Sequence, residues 1–94
     1  MNPADEKRRG AEAANLLSHP LFKEACAEIE RRLVSELAKA DIDLKRAEYV
    51  RTLLVSHRKI QGYIEQMVKT GDMVLFEEAR RQSLAQRVFS KVGY

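Results

Sequence analysis

Apolar residues recur along this chain at intervals of three and four, the rhythm of an amphipathic helix, and no stretch requires a strand. The clearest stripe is Phe22, Cys26, Ile29, Leu33 and Leu37, which fall on one side of a helix, while Glu24, Glu28, Glu30, Arg31, Arg32 and Glu36 lie largely off it. Glu28 and Arg32 have the spacing of a favourable i,i+4 pair. A longer stripe of Ala47, Val50, Leu54, His57, Gln61, Ile64 and Val68 is widened by Leu53, Ile60 and Met67. It predicts a third helix running to Thr70, about 27 residues and roughly 40 Å long.

The polar punctuation sets the limits of these helices. Asn2-Pro3 opens a first helix from about Pro3 to Leu17, because Asn caps free amides, Pro is tolerated at the first helical position and Asp5 suits the helix dipole. Its only sizeable apolar residues are Leu16 and Leu17, and Gly10 in its middle costs about 0.8–1.0 kcal/mol relative to Ala. This segment therefore has little to bury, and either frays or waits for a partner to pack on. Ser18-His19-Pro20 is a break, since Pro20 disfavours helical backbone at His19 and then starts the second helix. Lys39-Ala40-Asp41-Ile42-Asp43 reads as a tight turn with aspartate caps. Thr70-Gly71-Asp72 reads as a stop and restart, with Gly71 in the left-handed position after a helix end and Asp72 capping the next helix. That last helix, from Met73 to Val92, carries Phe76, Ala79, Leu84, Ala85, Val88, Phe89 and Val92, before Gly93-Tyr94.

These elements define an all-α fold in a single domain, residues 1–94. An N-terminal helix (1–19) and a basic C-terminal helix (72–94) flank an antiparallel helical hairpin (20–71). The expected hairpin core is Phe22, Cys26, Ile29, Leu33, Ala47, Val50, Leu54 and Ile64. Two helices cannot cover both stripes, so a flanking helix or a second copy of the chain is required.

Composition narrows the class further. At 94 residues, 45% hydrophobic and 33% charged, the chain is too apolar for a disordered tail and too short for a large core. No apolar run is long enough for a membrane span and Met1 to Arg9 lacks a signal-peptide core, so no membrane association is expected, and synthesis and residence are expected in the cytoplasm. The single Cys26 forms no internal disulfide and is expected to pack as a small apolar side chain. The net charge of +3 is mild, but Ala79 to Tyr94 contains Arg80, Arg81, Arg87 and Lys91 with no acidic residue. Such a segment suits an acidic protein surface or nucleic acid.

Candidate chemistry is sparse. His57 falls on an apolar stripe and reads as a core or interface residue, and His19, beside Pro20, shares with Ser18 the position of the second helix's cap. No zinc-protease, nucleophile-elbow or phosphate-loop pattern occurs, and Gly10, Gly62, Gly71 and Gly93 are scattered. Asp41 and Asp43 lack the glycine and acidic partners of a calcium loop. Gly62 is a candidate for close helix approach. Accordingly no catalytic, cofactor-binding or metal-ligating residue is expected, and the chain does not read as an enzyme. Lys45, Arg46, Arg51, Arg58 and Lys59 add positive charge to the third helix without sharing one face, which differs from a recognition helix.

The run from Ala14 to Ala25, with Leu16-Leu17-Ser18-His19-Pro20-Leu21-Phe22-Lys23-Glu24-Ala25, followed by Arg46, by Tyr63 to Val68 and by Gly71, resembles small helical proteins encoded by tailed bacteriophages. In that group a Leu-Leu-x-x-Pro-x-Phe-x-Glu-Ala start precedes a helical hairpin whose second arm ends at a glycine. The resemblance covers Ala14 to Met73 and implies a phage origin, with residence in the host cytoplasm or the virion and use in virion assembly. Taken together, the expectation is a non-enzymatic helical assembly or interaction protein that self-associates or docks on a larger phage or host protein. The residues expected to meet the partner are Phe76, Arg80, Arg81, Arg87, Val88, Phe89 and Lys91. A small nucleic-acid-binding or regulatory protein and a phage-encoded inhibitor of a host or defence protein are the alternatives.

Overall fold

In a computed structural model, which describes residues 1–91, three helices follow in order: α1 (Pro3–Ser18), α2 (Pro20–Leu37) and α3 (Leu44–Lys91). The fold is all-α. The ends of α1 and α2 follow the local chemistry. The Asn2 side-chain oxygen accepts from the Asp5 amide at 2.9 Å. His19 is extended, with φ −67° and ψ 124°, and its Nδ1 accepts from the Leu21 amide at 3.2 Å. Asp43 does the same for α3, its carboxylate accepting from the Arg46 amide at 2.8 Å. The turn between α2 and α3 spans residues 38–43.

The hairpin differs from expectation in what forms its arms. α1 and α2 together, broken only at His19-Pro20, make the first arm, and α3 alone makes the second. Ion pairs fix the antiparallel register along the whole length. Arg46 Nε lies 3.2 Å from Glu36 Oε1, Arg58 Nε 2.7 Å from Glu30 Oε1, and Lys7 Nζ 2.9 Å from Glu78 Oε2. The result is a rod of 77 × 24 × 21 Å. Its long dimension is set by the 48 residues of α3, about 72 Å at 1.5 Å per residue.

The expected break at Gly71 is absent, because α3 runs through it without interruption. Gly71 is buried, and it meets the buried Gly10 of α1. A Cβ on Gly10 would stand 2.9 Å from the Gly71 Cα and 3.1 Å from the Met67 carbonyl oxygen; one on Gly71 would stand 3.0 Å from the Gly10 Cα and 3.2 Å from the Glu6 carbonyl oxygen. The two backbones therefore touch where neither residue has a side chain. Glycine serves here as a packing residue inside each helix, not as a terminator of one. The close approach expected of Gly62 does not occur, since a Cβ there would meet nothing within 4 Å. The same contact explains why α1, expected to fray or to wait for a partner, is docked along α3.

The seam between the arms follows Val50, Leu54, His57, Gln61, Ile64, Val68, Gly71, Val74 and Glu78, in steps of three and four. It is thin. The buried hydrophobic side chains among the described residues are Ala13, Val50 and Leu54. Of the remaining residues expected in the core, Phe22, Cys26, Leu33, Ala47 and Ile64 are half-buried, and Ile29 is exposed. Two helical arms have one line of mutual contact, and among the described residues no third layer closes over it.

Candidate interaction surfaces

Two exposed regions arise from this architecture. The first is the end of α3. The first arm reaches as far as Glu78, which Lys7 holds, and every residue from Ala79 to Phe89 is exposed. Residues 79–89 thus extend beyond α1 as an uncovered stretch of helix of about 16 Å, and α3 itself continues to Lys91. Its seam-facing side continues, since Ala85 lies fourteen and Phe89 eighteen residues beyond Gly71, close to whole numbers of helical turns. Phe89 is 65% exposed where the covering arm has run out.

The residues expected to meet a partner are distributed around this overhang. Phe76, Arg80 and Arg87 fall on one side, with i, i+4 and i+11 spacing. Arg80 and Arg81 line a shallow groove with Glu77 and Leu84. Val88 follows Arg81 by seven residues, and Phe89 lies on the seam side. Lys91 ends α3, its side chain lies outside the described residues, and so do Val92, Gly93 and Tyr94. The described side chains of the set, Phe76, Arg80, Arg81, Arg87, Val88 and Phe89, are therefore exposed but not gathered on one face.

The second region is one that sequence reasoning does not assemble as a unit. Tyr49, Leu53, Ser56, Ile60, Tyr63 and Met67 each precede a seam position by one residue, which rotates them together by about 100° onto one flat side of the hairpin. None is charged. Tyr49 is 57%, Ile60 63% and Tyr63 63% exposed. Leu16 of α1 joins the same side, lining an open groove with Ala13, Ile64 and Met67 and, at its edge, Arg9 and Glu12. The signal is present in the sequence as a second 4-3-4-3-4 series beside the first.

Polar groups elsewhere are local. Glu28 accepts from Arg31 at 2.6 Å and from Arg32 at 2.8 Å, and these hydrogen bonds, Arg31 first, hold its carboxyl down at about 2. Lys39 and then Arg46 lower the Glu36 carboxyl in the same way. His57 lies in the seam, and its Nε2 is buried without a hydrogen-bond partner. Cys26 is half-buried beside Phe22 and Gln61. Among the described residues no three His, Cys, Asp or Glu side chains are grouped to hold a metal ion. No described helix is long and apolar enough to cross a membrane. No known protein family, curated protein or solved structure matches the chain.

Proposed function

We propose that this chain is a non-enzymatic helical assembly protein that docks the overhanging end of α3 on another protein chain. The observation that carries the proposal is the continuation of the seam past the covering arm, with Ala85 and Phe89 exposed where Ala13 and Gly10 have no counterpart. A helix lying in the groove of a larger protein through such a side is a common recognition mode. The exposed Arg80, Arg81 and Arg87 favour an acidic rim around that groove. The phage resemblance of Ala14 to Met73 makes a virion or accessory component the first class of partner to test. The glycine that ends the second arm in that group lies within α3 here, so the resemblance bears on the first arm and the turn more than on the overhang.

The test places a photo-crosslinking amino acid at Ala85 or at Phe89, both on the seam side of the overhang, in the cells that naturally make the protein, and identifies the product by mass spectrometry. One and the same virion protein captured from both positions, and not from a control at the Gly62 surface, supports the assembly reading. A host enzyme would select the inhibitor reading. Capture of neither would overturn docking through the overhang.

The exposed arginines specifically favour one other reading, a nucleic-acid contact along residues 80–91. Binding that weakens steeply between about 50 and 200 mM salt, and loses slope when Arg80 and Arg81 are replaced by Gln, would identify it. Absence of binding at low salt removes it.

A further inference from the structure

We infer that the flat apolar side of the hairpin is closed by a second copy of the same chain, packed antiparallel about a two-fold axis level with Arg58. The inference deepens the assembly reading by naming a surface and its occupant, and it uses a different part of α3 from the overhang.

The spacing of the exposed series is the first ground. Its intervals, four, three, four, three and four, read the same in both directions. When two copies of α3 run antiparallel with residue pairs summing to one constant value, Tyr49 comes level with Met67 of the other copy, Leu53 with Tyr63, and Ser56 with Ile60. Each pairing is chemically matched. Methionine sulfur against an aromatic ring is favourable, leucine packs on the tyrosine ring, and the small Ser56 leaves room for Ile60. No formal charge lies on the series itself; charge stands at its ends, where Arg46 lies 5.7 Å over the Tyr49 ring and Arg9 and Glu12 flank Met67. Arg58, level with the axis, is turned away and paired with Glu30.

The area is the second ground. Leu16 is 41% exposed, Leu53 39%, Tyr49 57% and Ile60 and Tyr63 63% each. With side chains of about 150–250 Å², these fractions leave on the order of 500 Å² of mostly apolar surface per copy. Two facing copies would bury on the order of 1,000 Å² from these residues alone, which is where specific interfaces begin. An exposed apolar patch of about 500 Å² lies in the range of the largest patch on a typical monomer, about 300–600 Å², where such patches are often functional. A two-fold dimer, in which the same patch on both copies meets itself, is the commonest homo-oligomer of soluble chains. The third ground is the thin core: two hairpins placed side by side supply the missing layer over Leu16, Leu53 and Met67.

The geometry also places the overhangs. From level 58 to residue 91 is about 50 Å of helix, so an antiparallel pair would hold its two overhangs on the order of 100 Å apart, pointing in opposite directions. One such dimer could bridge two copies of a partner.

Sedimentation equilibrium of the full chain tests the inference. The expected result is twice the chain mass of 10.8 kDa, falling to the single-chain mass when Ile60 and Tyr63 are both replaced by Glu, with helix content by circular dichroism unchanged. Because both residues are already exposed, loss of folding is not expected. As a second measurement in a Cys26→Ala background, Leu53→Cys and Tyr63→Cys chains are oxidised separately and as a mixture. The mixture should give the mixed disulfide dimer, and neither variant alone should crosslink efficiently. A wild-type monomer at all concentrations, a dimer that survives I60E/Y63E, or crosslinking of each variant with itself would each overturn the inference. None of these outcomes bears on whether positions 85 and 89 capture a partner. Conversely, failure of that capture leaves the dimer standing.

Discussion

Adding one methyl group at Gly10 or at Gly71 should loosen the whole hairpin. In an isolated helix, Gly→Ala is stabilising by about 0.8–1.0 kcal/mol. At the crossing of α1 and α3 the new Cβ would face backbone atoms at 2.9–3.2 Å, and backbone cannot swing aside as a side-chain tip can. Ordinary carbon contacts lie at about 3.5–4.0 Å, so the arms must part by roughly half an ångström or more. Overpacking of this kind costs about 1–3 kcal/mol. The balance is a net loss of up to about 2 kcal/mol. Gly62→Ala supplies the internal control, because nothing stands within 4 Å of its added Cβ and only the propensity gain remains. Urea unfolding followed by circular dichroism at one fixed chain concentration reads all three variants against wild type. The expected order of midpoints is Gly62→Ala highest, wild type next, and Gly10→Ala and Gly71→Ala lowest. If Gly10→Ala and Gly71→Ala unfold at the same midpoint as Gly62→Ala, the backbone contact is not what holds α1 in place.

Other expectations can be checked on the same samples. His57→Leu should stabilise by about 1 kcal/mol in urea unfolding, because it removes the buried Nε2 that has no partner and keeps an apolar group in the seam. Val50→Ala should cost about 2 kcal/mol, since Val50 is 1% exposed and is the best-buried side chain of the α2–α3 contact. The Glu28 carboxyl, followed by NMR, should titrate near 2 and move back up when Arg31 is replaced by Ala. Its folded value is depressed, so its pairs contribute above the ordinary carboxylate range and are lost as pH falls towards about 2; at an exposed site the effect on stability is small.

Much of this arrangement can be read from residues near one another in the chain. Asn2-Pro3, Ser18-His19-Pro20 and the Asp41-Asp43 pair mark three helix starts by caps that close within three residues, and the structure makes those bonds through Asn2, His19 and Asp43. Gly71 reads as a terminator because the left-handed cap is what a glycine after Thr70 and before Asp72 usually means. Its actual role depends on Gly10, sixty-one residues earlier, and local propensity holds no information about a partner so distant. One signal does exist. The stripe keeps its phase through the glycine, with Ile64 and Val68 before it and Val74 and Glu78 after, whereas a stop and restart has no reason to preserve phase. The exposed flank is half legible for the same reason: Leu53, Ile60 and Met67 are visible as surplus width, but which part α1 covers depends on where Gly10 docks.

That docking also constrains the length of everything between the two glycines. A residue inserted into α2 would advance α1 by about 1.5 Å and turn it by about 100°, carrying Gly10 off Gly71 and setting a side chain against backbone. Compensation would require a matching insertion between Leu44 and Gly71, so that both arms lengthen together. The contact acts as a length gauge for the rod. Sequence change between residues 10 and 71 is expected as substitution, while growth and shrinkage are expected after Glu78, where α3 has no opposing arm to stay in step with.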